Sequence, residues 1–230
     1  MATKKINYKK IIKDISTYGK NLRSTDGVFI IEDGVIYSAR NMVNKEPAGV
    51  YRVEFKSDLY EDTLKTLGIL IQGQELSRVI SGTGVVIDDL SDNLVITSNK
   101  GEWQPNLVDS PNLVNNIKDT YNRYSSKFNV DDYEEISLDL EFLQNNKKFS
   151  INIGDEFKTL NSYMLITNKM LKNFNKETTN VSIAINRTPI LFNESELEET
   201  CIKIIRITVD NTIAKTTCYH ALIDKTSTNG

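Results

Sequence analysis

The sequence predicts an α+β protein built from antiparallel sheet with short amphipathic helices on one face, and three observations carry that prediction. Residues 6–22 (INYKKIIKDISTYGKNL) repeat apolar side chains at helical spacing: Tyr8, Ile11, Ile12, Ile15 and Leu22 fall on one face. The stretch Val28 to Phe55 alternates and turns in the manner of a strand meander, with Asp33-Gly34 as a two-residue hairpin connection. The same succession, a lysine-bearing helix and then strands, recurs in pattern beyond residue 160.

Along the chain, the helix is followed by a turn at Ser24 to Gly27 and strands over Val28 to Glu32 and Val35 to Arg40. A loop through Pro47 and Gly49 leads to the alternating strand Val50 to Phe55. Leu67 to Ile71 reads as a short strand and Gly73 to Ser81 as a helix with Leu76, Val79 and Ile80 inward, stopped at Gly82. Strands are expected at Gly84 to Asp88 and Asn93 to Ser98, joined by the turn Asp89 to Asp92. Pro105 and Pro111 interrupt regular structure, Asn112 to Phe128 suits a helix, and Asp131 to Glu135 reads as an acidic loop. Ile136 to Leu143 and Phe149 to Ile153 suit strands, although Leu138 to Lys148 suits a short helix equally well. Tyr163 to Ile166 is expected as a strand, and Asn168 to Lys176 as a helix with Met170, Leu171 and Phe174 inward. Val181 to Asn186, Ile190 to Asn193, Cys201 to Val209 and Thr216 to Ile223 complete the strands, and Lys225 to Gly230 forms a polar tail. This divides the chain into residues 1–105, a linker region 106–135, and residues 136–230.

At 230 residues, with 39% hydrophobic and 26% charged side chains, the composition is globular. No apolar run reaches the roughly 18 residues of a membrane span, and the N-terminus lacks a signal-peptide core, so a cytoplasmic protein is expected. Charge is unevenly placed. The net is −3, yet the first 23 residues hold Lys4, Lys5, Lys9, Lys10, Lys13, Lys20 and Arg23 against Asp14 alone, which leaves −9 for the rest. Lys9, Lys13 and Lys20 occupy the polar face of the first helix, Arg78 that of the second, and Lys169, Lys172 and Lys176 that of the later one. Such helices suit a polyanion, with a solvated polar face as the plainer alternative.

Catalytic constellations are absent from the sequence. His220 is the single histidine and sits in a strand, where a hydrogen-bonded structural role is expected. The two cysteines, Cys201 and Cys218, suit reduced core thiols and offer no zinc spacing. Ser81-Gly-Thr-Gly84 lacks the lysine of a phosphate loop, and Asp88, Asp89 and Asp92 lack the terminal glutamate of a calcium loop. No enzyme activity, metal or cofactor is expected.

Three segments together resemble a known family: the helix of residues 6–22 with its meander to Phe55, LGILIQGQELSRVISG (67–82), and YMLITNKMLKNF (163–174). They are similar to the ring-shaped DNA sliding clamps, the processivity factors of replicative polymerases, and most to the short phage versions. The resemblance implies two clamp-like domains, a closed homotrimer around duplex DNA held without sequence specificity, and a polymerase and clamp loader as partners. It places Lys9, Lys13, Lys20, Arg78, Lys169, Lys172 and Lys176 toward the DNA, and, for a phage-encoded chain, the protein in the host cytoplasm. A phage structural protein of tail or neck, assembling into rings, is the alternative reading of the same pattern.

Overall fold

The structure, a computed structural model, describes residues 7–22, 28–39, 49–67, 70–90, 93–105, 111–160, 165–194 and 197–223. In order these form α1 (Tyr8–Asn21), β1 (Val28–Glu32), β2 (Val35–Ala39), β3 (Gly49–Phe55), α2 (Asp58–Leu67), β4 (Leu70–Gln72), α3 (Gly73–Ile80), β5 (Val86–Leu90), β6 (Asn93–Ser98) and β7 (Gly101–Trp103). Then follow α4 (Pro111–Lys127), β8 (Tyr133–Ser137), α5 (Leu140–Asn145), β9 (Ser150–Asn152), β10 (Leu165–Thr167), β11 (Thr178–Asn186), β12 (Ile190–Glu194), β13 (Leu197–Asn211) and β14 (Ala214–Ile223). The fold is α+β, and every described strand pairing is antiparallel.

One nine-stranded sheet runs β4-β1-β2-β3-β14-β13-β11-β8, with β12 also on β13; β9-β10 and β5-β6-β7 are separate small sheets. The link between the two halves of the chain is β3 with β14, in register from Phe55↔Ala214 to Gly49↔His220. The hairpin at Asp33-Gly34 forms as its sequence requires, with φ of 50° and 73°, so that Glu32 faces Val35.

Period-2 alternation splits this sheet into two packed faces. Phe29, Ile31, Ile36, Tyr51, Val53, Ile183, Ile185, Ile205, Ile207 and Cys218 join a core with α1, α2, α3 and Leu143 of α5. Ile30, Ala39, Val50, Ala184, Ile204 and Tyr219 point the other way, onto Ile117, Tyr121 and Tyr124 of α4. The expectation that the helices share one face therefore holds for α1, α2, α3 and α5 and fails for α4. α4 carries its own apolar stripe, Ile117, Tyr121 and Tyr124 at i, i+4 and i+7, which needs a partner as much as the open sheet face does.

Other differences have local causes. α2 was not foreseen, although Leu59, Thr63, Leu64 and Leu67 mark its inner face and Asp58 and Glu61 its first turn. Leu67 consequently ends a helix, and the strand begins at Leu70. Tyr8, expected to be buried, is 49% exposed because it opens the first turn of α1, beyond the sheet. Tyr133 to Glu135, expected within the acidic loop, instead join Ile136 and Ser137, which were expected in a strand, and the five residues pair with β11 as an edge strand. Gly101 to Trp103 adds a strand, β7, that was not foreseen and that ends before Pro105, and the ambiguous stretch after Leu138 resolves to helix under the cap of Asp139, whose Oδ1 accepts from Glu141 N at 2.9 Å and Phe142 N at 3.2 Å.

The helix expected over Asn168 to Lys176 is a run of turns. Its asparagines divert the backbone: Asn173 takes φ 64°, and Asn175 Oδ1 accepts from Glu177 N at 2.8 Å. Leu171 is nevertheless buried, and Met170 and Phe174 pack against the core as expected. The turn at Ser24 to Gly27, the loop through Pro47, Ser91-Asp92, Tyr163-Met164 and the tail from Lys225 lie outside the described residues.

Candidate nucleic-acid interface

α1 starts at Asn7, whose Oδ1 accepts from Lys10 N at 3.1 Å, and it buries Ile11, Ile12, Ile15 and Tyr18 against the sheet. Its single acid is occupied. Asp14 takes Lys10 Nζ at 2.8 Å and the Tyr60 hydroxyl at 2.7 Å, which ties α1 to α2. Burial first, and then the hydrogen bond to Asp14, pushes the Tyr60 phenol up to about 12. The hydrogen bond that the Lys10 ammonium donates to Asp14 likewise raises its pKa. The remaining cations of α1 are left without an acid on their own helix. Lys9 and Lys13 are exposed and Lys20 partly so, and among the described residues none has an ion pair.

α3 lies beside α1, and two glycines let them close over one ring. A Cβ on Gly19 would stand 2.3 Å from Phe29 Cε1, and one on Gly73 would stand 2.7 Å from the same atom and 3.5 Å from Lys20 N. Because only hydrogen fits at these positions, the end of α1 meets the start of α3 and brings Lys20 to the same open pocket as Gln74, Ser77, Arg78 and Ser81. Lys20 and Arg78, 58 positions apart in sequence, thus line one pocket.

The later lysines share this face of the sheet without a helix to carry them. Tyr18 Oη donates to Asn211 Oδ1 at 3.0 Å and accepts from Asn175 Nδ2 at 3.3 Å, which docks the turn segment against α1. Asn173 Nδ2 donates to Thr216 Oγ1 at 3.0 Å and anchors it to β14. Lys169 and Lys176 are exposed, whereas Lys172 is half-buried with its ammonium 5.8 Å from the centroid of the Tyr51 ring. On α2, Glu61 and Asp62 hold Lys65 at 3.0 and 3.9 Å, and Glu177, next to Lys176, accepts from the Thr212 hydroxyl at 3.1 Å.

No protein-family model matches the chain, and no curated protein matches it.

Chemistry elsewhere is muted. His220 is buried in a T-shaped contact with Tyr51, ring centroids 6.0 Å apart, and Nε2, one of its two ring nitrogens, has no hydrogen-bond partner among the described residues, where a hydrogen-bonded role was expected. Burial, and then the charge of Lys172, lowers its imidazole to about 4. Cys218, two residues earlier on the same strand face, is a free buried thiol that burial pushes up. The described residues include no cluster of three metal-ligating side chains, and no described helix is long and apolar enough to cross a membrane.

One basic residue beside the pocket escaped the sequence reading. Lys100 sits in the β6–β7 turn, and its signal is the Asn99-Lys100-Gly101 triplet between two short strands, a turn that presents a cation.

Proposed function

We propose that this chain is a DNA sliding clamp: a protein that performs no chemistry, encircles duplex DNA as a homotrimer, and tethers a replicative polymerase after a clamp loader has closed it. The observation that carries the reading is the convergence of unpaired cations from α1 and α3 on one face of a sheet that is continuous through both halves of the chain. Lys9, Lys13, Lys20 and Arg78 would meet phosphates there without reading bases, and Lys169, Lys172 and Lys176 would extend the same surface. Contacts of this kind position a duplex and leave it free to slide. The net charge of −3 disfavours DNA over the rest of the exterior.

The test is a salt titration of duplex binding by the chain and by a variant with Lys9, Lys13, Lys20 and Arg78 all changed to Gln. Removing four phosphate contacts should flatten the slope of log K against log salt by about 3 to 4, equivalent to about a hundredfold between 50 and 200 mM. Stability should change by about 0.5 kcal/mol at most for exposed Lys9 and Lys13, and by up to about 1 kcal/mol at Arg78, which loses its hydrogen bond to the Lys100 carbonyl. Equal slopes for the two proteins, together with unchanged mass in solution when circular DNA is added, would remove the clamp reading and favour the ring-forming structural protein.

A further inference from the structure

We infer that Lys20, Arg78 and Lys100 form a discrete seat for one phosphate group, the phosphate being that of the nucleic-acid backbone if the clamp reading, on which this source rests, is correct. Three separate segments supply the charges: the last turn of α1, the last turn of α3, and the turn between β6 and β7. Lys20 and Arg78 line a pocket that is open to solvent and holds about 320 Å³, and Lys100 reaches its wall at Ser81.

The seat is built rather than incidental. Arg78 Nη1 donates to the carbonyl of Lys100, and Gly101 takes the φ of 122° that lets the chain turn there, a conformation side-chain-bearing residues rarely adopt. The remaining guanidinium donors of Arg78 stay available in a fixed plane. Lys100 Nζ donates to Ser81 Oγ at 3.0 Å, and Ser81 Oγ donates to the Arg78 carbonyl at 2.8 Å. The turn itself is pinned to the end of α3, because Thr83 N donates to Asn99 Oδ1 at 2.8 Å and Asn99 N to the Thr83 carbonyl at 3.1 Å.

No described carboxylate pairs with Lys20, Arg78 or Lys100. Three cations held together repel one another, and an arrangement that fixes two of them by hydrogen bonds while supplying no counter-charge is relieved by an anion from outside. Oxygens of a phosphate match the donors on offer: a planar guanidinium, two ammonium groups, and the hydroxyl of Ser77 on the pocket wall.

Two measurements on the full chain test this. Inorganic phosphate is titrated at constant ionic strength against chloride, with backbone amides followed by NMR. Saturable shifts are expected at Arg78, Ser81, Lys100 and Gly101, abolished in Lys100→Gln and weakened in Ser81→Ala, which keeps all three charges. Duplex binding is then measured against salt for Lys100→Gln and for Lys127→Gln, an exposed control on α4 across the sheet. Lys100→Gln should lower the slope by about 0.9, one phosphate, and Lys127→Gln should leave it unchanged. Phosphate shifts without a change of slope would assign the seat to free phosphate and overturn the nucleic-acid source. Absence of localised shifts, with Lys100→Gln and Lys127→Gln alike, would overturn the seat itself. The clamp reading is judged separately, by a double variant, Lys9→Gln with Lys13→Gln, that leaves Lys20, Arg78 and Lys100 intact, and by the mass in solution with circular DNA, so the two failures are distinguishable.

Discussion

His220 offers a pH-dependent test of the packing, because it is the single histidine and its titration is not confused with another. The imidazole lies on β14 opposite Gly49, makes a T-shaped contact with the Tyr51 ring, and has the Lys172 ammonium nearby, so a proton there gains no acidic partner among the described residues. Its pKa falls from 6.5 to about 4 in the folded chain, while in the unfolded chain it stays near 6.5. Above pH 6.5 both states hold a neutral ring and stability is unaffected. As the pH falls through the window from 6.5 to 4, the unfolded chain takes up a proton that the folded chain refuses, so stability declines by up to about 1.4 kcal/mol per pH unit and about 3 kcal/mol in total. Urea unfolding at pH 7, 6, 5 and 4.5 should show this decline in the wild-type chain. His220→Gln, which cannot titrate, should retain only the part due to carboxylates. In parallel, the one imidazole Cε1 proton resonance should stay in its neutral position down to the pH at which the chain unfolds. A native resonance that titrates near 6.5, or parallel stability curves for the two proteins, would refute the argument that burial excludes the charged form.

The close approach of α1 and α3 should make Gly19→Ala costly, by about 1–3 kcal/mol in thermal or urea melts, since the new methyl meets the Phe29 ring; pairing it with Phe29→Leu should cost less than the sum of the single changes. Tyr18→Phe should cost about 1 kcal/mol in urea melts, because Asn211 Oδ1 keeps the backbone donors of Ile213 and Ala214 at 3.0 and 2.9 Å when the hydroxyl is lost. A shielded thiol with a raised pKa reacts slowly, so mass spectrometry of the Cys218 peptide should show alkylation at pH 8 only after denaturant is added.

Much of the local structure was legible because it depends on neighbours in sequence. The apolar period of Ile11, Ile12, Ile15 and Leu22 specifies the buried face of α1 wherever that helix docks, and Asp33-Gly34 supplies the two positive φ angles that a tight hairpin demands. The alternation Val50, Arg52, Glu54 against Tyr51, Val53, Phe55 declares a strand with two unlike faces. α2 was equally legible and was missed only because the apolar run after it drew the assignment toward a strand. Of the candidate site, the stripe Lys9, Lys13, Lys20 needed nothing more than helical spacing.

Tertiary structure alone decided the rest, for reasons that have no local signature. The pairing of β3 with β14 joins strands near opposite ends of the chain, and neither sequence contains a mark of its partner. α4 is amphipathic, but amphipathicity names a buried face without saying which side of a sheet will cover it. The segment Asn168 to Lys176 has the period of a helix, yet its asparagines find side-chain hydrogen bonds to β14 and α1 that a helix would forgo, so turns prevail. The meeting of Lys20, Arg78 and Lys100 depends on two glycines that let helices touch over Phe29 and on a turn folded back onto the end of α3. Like charges converge there because backbone packing brings them together, and pairwise preference between the side chains would have kept them apart.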